Sequence, residues 1–132
     1  MATALTKGVK ISVETTFRAD LTDAENQILF FNYAITIENQ NPFKVQLLKR
    51  HWRIFDALNN VRMISGDGVI GEQPILNPGD THTYESGCDL NSEIGEMKGN
   101  YDFAILNESN IPQDSFKVEV PAFKLEFPPK LN

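Results

Sequence analysis

A chain of 132 residues, 41% hydrophobic and 23% charged, is long enough for one core and too apolar to stay disordered. Its 18 acidic and 12 basic residues give a net charge of −6, which argues against sequence-independent nucleic-acid binding, since that needs a positive surface. A single cysteine excludes a disulfide framework and the usual zinc sites, and fits a reducing compartment.

The start, Met1 to Gly8, has no basic segment followed by a long apolar run. No stretch approaches the roughly 20 apolar residues of a membrane helix. The expectation is one domain over residues 1–132, cytoplasmic, with neither a membrane nor a nucleic-acid partner.

The dominant period is two, which means strands. Val9, Ile11 and Val13 alternate with Lys10, Ser12 and Glu14. Leu29, Phe31, Tyr33, Ile35 and Ile37 form the next apolar face, and Asn39-Gln40-Asn41-Pro42 ends it with turn residues. From Phe43 to Asp56 the pattern changes parity. Val45 and Leu47 put odd positions inward, whereas Leu48, Trp52 and Ile54 put even ones inward. A strand cannot exchange faces without an irregularity, so a bulge is predicted near Leu47 to Arg50.

Leu58-Asn59-Asn60 reads as a turn into a short strand, Val61 to Ile64. Gly66 to Gly71 reads as a glycine-rich loop and Asn77-Pro78-Gly79-Asp80 as a turn. Thr81 to Glu85 is a short strand. Met97, Tyr101, Phe103 and Ile105 share a parity, and Glu108 to Pro112 is a loop. Phe116, Val118 and Val120 alternate until Pro121, before Phe123, Leu125 and Phe127. Pro121 predicts an edge strand or a change of direction. Seven to nine short strands without a helical period predict an all-β fold. The expected architecture is a two-sheet antiparallel β-sandwich of immunoglobulin or fibronectin type III-like kind.

Charge is unevenly distributed. Five cations against Asp56 alone give residues 44 to 62 a net +4, and residues 63 to 97 hold seven carboxylates without a cation, −7. The glycine-rich loop lies just past the change of sign.

Four constellations could carry chemistry. Gly66-Asp67-Gly68-Val69-Ile70-Gly71 matches G-x-G-x-x-G, but Glu72-Gln73-Pro74-Ile75 opens no helix, so the dinucleotide fold is rejected. A backbone nest for an anion survives, with Arg50, Arg53 or Arg62 supplying charge. Asp67 and Glu72 oppose it, and a loop that merely needs positive φ competes with it. The basic strand Lys49-Arg50-His51-Trp52-Arg53 offers an anion- or protein-binding face if Trp52 points inward, or else an ordinary solvated face. For metals, His51 and His82 lie far apart and Cys88 has no C-x-x-C partner, so no metal site is assigned; the acidic segment could hold a hard cation weakly through Asp80, Glu85 or Asp89, or be a solvated surface. For catalysis there is no G-x-S-x-G elbow, and a Cys88–His82 pair has nothing to position it. The expectation is a non-enzymatic chain without a cofactor.

Several ordered pieces carry a resemblance. They are Tyr33-Ala34-Ile35-Thr36-Ile37-Glu38-Asn39 and the basic Trp strand Val45 to Ile54. Then come Gly66-x-Gly68-Val69-Ile70-Gly71-Glu72-Gln73-Pro74, Leu76-x-Pro78-Gly79 and Tyr84-x-Ser86-Gly87-Cys88. Met97-x-Gly99-x-Tyr101 and Pro121-Ala122-Phe123-x-Leu125 complete the set. From about Val9 to Leu125 the chain resembles the ApaG family.

The resemblance implies a fibronectin type III-like sandwich. Such domains stand alone in bacteria; in eukaryotes they lie at the C-terminal end of certain F-box proteins and in a polymerase-delta-interacting protein, where they look like protein-interaction modules. It also implies a link to cobalt resistance and magnesium efflux. A proposed pyrophosphate or nucleotide site would fall on Gly66, Gly68 and Gly71. The tail Glu126-Phe127-Pro128-Pro129-Lys130 lies outside the shared pattern. The leading expectation is therefore a non-enzymatic module binding an unidentified protein partner, as a monomer or homodimer. The alternative is a sensor of pyrophosphate, nucleotide or a divalent cation at Gly66, Gly68 and Gly71 with Arg50 and Arg53.

Overall fold

The computed structural model describes residues 1–59 and 61–127. Asn60 of the expected turn and residues 128–130 of the tail lie outside them. Strands β1 (Ala2–Thr6), β2 (Val9–Phe17), β3 (Leu29–Asn39) and β7 (Thr81–Leu90) form one antiparallel sheet in the order β1-β2-β3-β7. Strands β4 (Lys44–Asp56), β5 (Arg62–Asp67), β8 (Ile94–Leu106) and β9 (Pro112–Glu126) form the other, ordered β5-β4-β8-β9. The two-residue β6 (Ile75–Leu76) pairs with β4. This is the expected antiparallel β-sandwich.

The alternating apolar positions meet between the sheets. Leu29, Phe31, Tyr33, Ile35 and Ile37 of β3 are buried, as are Val9, Ile11 and Val13 of β2. They face Val45, Leu47, Trp52 and Ile54 of β4, with Tyr101 and Phe103 of β8 and Val118, Val120, Phe123 and Leu125 of β9. Trp52 is the hub: its ring meets Tyr33, Tyr101 and Phe123 edge-on at 5.6, 6.2 and 5.9 Å. Such edge-to-face pairs bring the positive rim of one ring to the negative face of another.

The predicted bulge is present. Leu47 pairs with Phe103 and Lys49 with Asp102, so Leu48 is the extra residue. The buried parity changes there, which puts Arg50 on the side of Trp52 and Ile54, and turns Lys49, His51 and Arg53 outward. Pro121 also behaves as expected. Met97 pairs with Phe123 but Gly99 with Val120, so Pro121 and Ala122 together oppose Lys98. β9 is an edge of its sheet and lies against β1 and β2, closing that side of the sandwich.

Other boundaries differ from expectation. β5 continues through Gly66 and Asp67, which pair with Arg50 and Lys49, so the loop proper begins at Gly68. β7 continues past Glu85 to Leu90 because β3 supplies partners through Leu29. β1 and a 3₁₀ turn at Ala19–Leu21 were not anticipated; the Ala and Thr side chains of β1 carry little apolar contrast. Strand pairing also interleaves the two charged segments. Arg62 meets Asp89 at 3.4 Å, and Lys49 stands between Asp67 and Asp102.

Candidate functional site

The glycine-rich segment turns back on itself just after β5. Val69 and Glu72 exchange N–H···O bonds of 2.8 and 3.0 Å around a two-residue turn. Its central residues, Ile70 and Gly71, have φ of 49° and 73°, the signs a type I′ hairpin requires. Gly68 has φ of 60°, and a Cβ there would stand 2.1 Å from the Glu72 carbonyl oxygen, so only glycine fits.

The bulge anchors this turn. The Leu48 carbonyl accepts from the Gly68 N–H at 2.8 Å and the Gln73 Nε2 at 2.9 Å. The Leu47 N–H donates to Pro74, and Gln46 Nε2 to Gln73. Arg50 completes the anchorage: its Nη1 donates to the Asp67 and Gly68 carbonyls at 2.9 and 3.0 Å. Gly66, Gly68 and Arg50 are thus brought together, with Gly71 at the exposed tip. Arg53 is not among them; it lies on the outward face opposite Met63. The N–H groups of Val69 and Glu72 donate within the segment, and that of Gly68 donates to the Leu48 carbonyl on β4. An anion would have to displace these bonds before it could occupy a nest.

Between the sheets the phenols of Tyr33, Tyr84 and Tyr101 lie within the field of Arg50. The Tyr84 and Tyr101 hydroxyls are hydrogen-bonded to each other across the core. Burial pushes both well above the ordinary phenol range, with Arg50 opposing it in part. They remain neutral at pH 7. Cys88 is similarly inert. Burial pushes its thiol up to about 11, although Arg62 opposes the shift. Cys88 and His82 lie six residues apart on the same extended strand, roughly 20 Å, so they form no pair. Among the described residues no group of three or more His, Cys, Asp or Glu is placed to hold a metal.

The outward face of β5-β4-β8-β9 is ordered in cross-strand rows. One row is Asp67, Lys49, Asp102 and Lys117; the next is Ser65, His51, Asn100 and Glu119. Within them His51 Nδ1 lies 3.0 Å from Ser65 Oγ, and Nε2 lies 2.9 Å from Asp102 Oδ2. Sequence inspection missed this chain, because its members are 14 and 51 residues apart and meet only through strand register. The outward parity of His51, inferred from Trp52, was the available signal. Alongside runs a groove of about 440 Å³ lined by His51, Arg53, Met63, Lys98 and Asn100, with Glu119 at its side. Met63 is 73% exposed on β5, an edge strand whose sheet neighbour is β4, and Ile64 is 41% exposed.

Comparison with known proteins agrees with the resemblance. The sequence pattern of the ApaG domain matches residues 19–105. The protein ApaG of Beijerinckia indica is 38% identical over 128 residues, covering 97% of this chain and 95% of that one. Its counterpart in Brucella anthropi is 40% identical over the same span, with the same coverage. A crystal structure of a Bordetella pertussis protein described as ApaA superposes with a TM-score of 0.83. It is 34% identical, and the match covers 92% of this chain and 95% of that one.

Proposed function

We propose that this chain, which belongs to the ApaG family, is a protein-binding module that takes an extended segment of its partner along the edge of β5. The supporting observation is the edge itself. β5 has β4 as its neighbour on one side and carries exposed Met63 and Ile64 between Arg62 and Asp67. An exposed strand edge pairs with an extended peptide by main-chain hydrogen bonds, and side chains beside it supply specificity. Met63 suits that role because its thioether chain adapts to varied apolar partners. The charges at the two ends fix direction and limit self-association.

The anchored glycine turn supports this reading as a scaffold that continues β5 and holds its end in place. The module works in the cytoplasm, and the family-level link to cobalt resistance and magnesium efflux acts through the partner. Capture from source-cell lysate is the test. The unmodified chain recovers a specific protein, and Met63→Asp with Ile64→Asp loses it while retaining the melting temperature. Equal recovery by the variant, or no specific protein at all, contradicts the proposal.

A further inference from the structure

We propose that Ser65 is an acyl-transfer nucleophile, activated by His51 and oriented through Asp102 on the outward face of the sheet. This goes beyond the binding role and does not depend on it. The geometry supplies what an activated serine needs: a nucleophile hydrogen-bonded to a base, and the base hydrogen-bonded to a carboxylate. The two contacts, 3.0 and 2.9 Å, join β5, β4 and β8.

The proton positions follow from the network. A carboxylate can only accept, so Asp102 places the imidazole proton on Nε2. Nδ1 is left with its lone pair directed at Ser65 Oγ. Asp102 is itself positioned beside Lys117 Nζ, 3.8 Å away. Asp102 is a positioning residue; Ser65 and His51 are the groups that meet the substrate.

The neighbouring charge identifies the substrate class. Lys49 and Arg53 flank His51 on β4, and Lys98 stands opposite Arg53 on β8. Arg53 and Lys98 line the groove. This cationic surround suits an activated ester or thioester that carries an anionic group. In the first step Ser65 Oγ bonds to the acyl carbon as its proton passes to Nδ1. The carbon–heteroatom bond then breaks, and the leaving alcohol or thiol takes that proton. Water next attacks the acyl carbon and gives a proton to Nδ1; the bond from that carbon to Oγ breaks, the acid leaves, and Oγ takes the proton back from Nδ1.

The competing account is a cross-strand polar ladder that only steadies an edge strand. Incubating the full chain with p-nitrophenyl acetate and mapping acetylated peptides by mass spectrometry separates the two. Acetylation is expected at Ser65 about a hundredfold faster than at exposed Ser109 in the same molecule. It is lost in Ser65→Ala and His51→Gln. Asp102→Asn lowers the rate and alters its pH profile. That profile is read against the charges facing His51: Lys49, Arg53 and Lys98, with Asp67, Lys117 and Glu119 around them. Equal acetylation of Ser65 and Ser109, or undiminished acetylation in a folded His51→Gln chain, overturns the proposal. The comparison within the unmodified chain decides the matter even if the variants do not fold.

Discussion

The guanidinium of Arg50 stands directly over Gly66: a Cβ there would lie 2.9 Å from both Nη1 and Nη2. The same Nη1 holds the carbonyls of Asp67 and Gly68, so glycine at 66 lets the clamp close. Arg50→Gln is expected to cost about 2 kcal/mol, through lost charged hydrogen bonds to the turn. Gly66→Ala displaces a flexible head group and costs about 1 kcal/mol. Gly68→Ala meets a backbone oxygen at positive φ and costs about 3 kcal/mol. Urea denaturation of the three variants checks this order.

At the tip, Ile70 holds φ of 49°, a conformation that opposes a β-branched side chain. Asn before glycine is the preferred pair for this turn. Ile70→Asn is therefore expected to stabilise the chain by about 1 kcal/mol, raising Tm by about 4 °C. Calorimetry checks it; an unchanged or lowered Tm contradicts the assigned turn.

With its Gly68, Val69 and Glu72 N–H groups already engaged, the glycine turn is expected not to hold phosphate. Millimolar pyrophosphate or nucleotide should leave Tm unchanged, because only a ligand that binds the folded state raises it. A concentration-dependent rise that disappears in Arg50→Gln would restore the anion-site reading.

Asp56 is a buried carboxylate that closes the other end of the sandwich. It accepts from the Asn91 N–H at 2.7 Å, from Asn59 Nδ2 at 3.0 Å and from the Ser92 hydroxyl. Burial alone would raise its pKa, but the hydrogen bonds from Asn91, Ser92, Asn59 and Leu58 outweigh it and hold the carboxyl below the usual range. The unfolded state then binds the proton more readily, so this contribution is present above the unfolded value of about 3.9 and is lost as pH falls through the lower folded one. Asp56→Asn should narrow its stability deficit relative to the parent chain below about pH 4. Asp56→Ala should cost about 3 kcal/mol at pH 7, by orphaning its donors. Urea titrations across pH check both.

Burial of Cys88, with its thiol raised to about 11, predicts negligible labelling by iodoacetamide at pH 8 in the folded chain and complete labelling in denaturant. Rapid labelling of the folded protein contradicts the packing described.

The sandwich was legible wherever side-chain alternation reported burial. The change of parity across Leu47 and Leu48 located the bulge, and Pro121 marked an edge strand with a slipped register. Legibility failed where local chemistry and tertiary pairing disagree. Gly66 and Asp67 read as loop, yet β4 supplies partners that extend β5 through them. β1 was invisible because Ala and Thr give little contrast. Gly66, Gly68 and Arg50 do converge, but as a clamp formed by internal bonds that spacing cannot reveal. The contact of Ser65, His51 and Asp102 depends on register between three strands, and register is a property of the fold.

Hydrogen exchange on the captured complex tests the central claim most directly. Strand addition predicts that partner binding protects amides within Arg62–Asp67 and leaves the β9 edge unchanged. Unaltered exchange in β5, with protection appearing at β9 or on the other sheet, would contradict it.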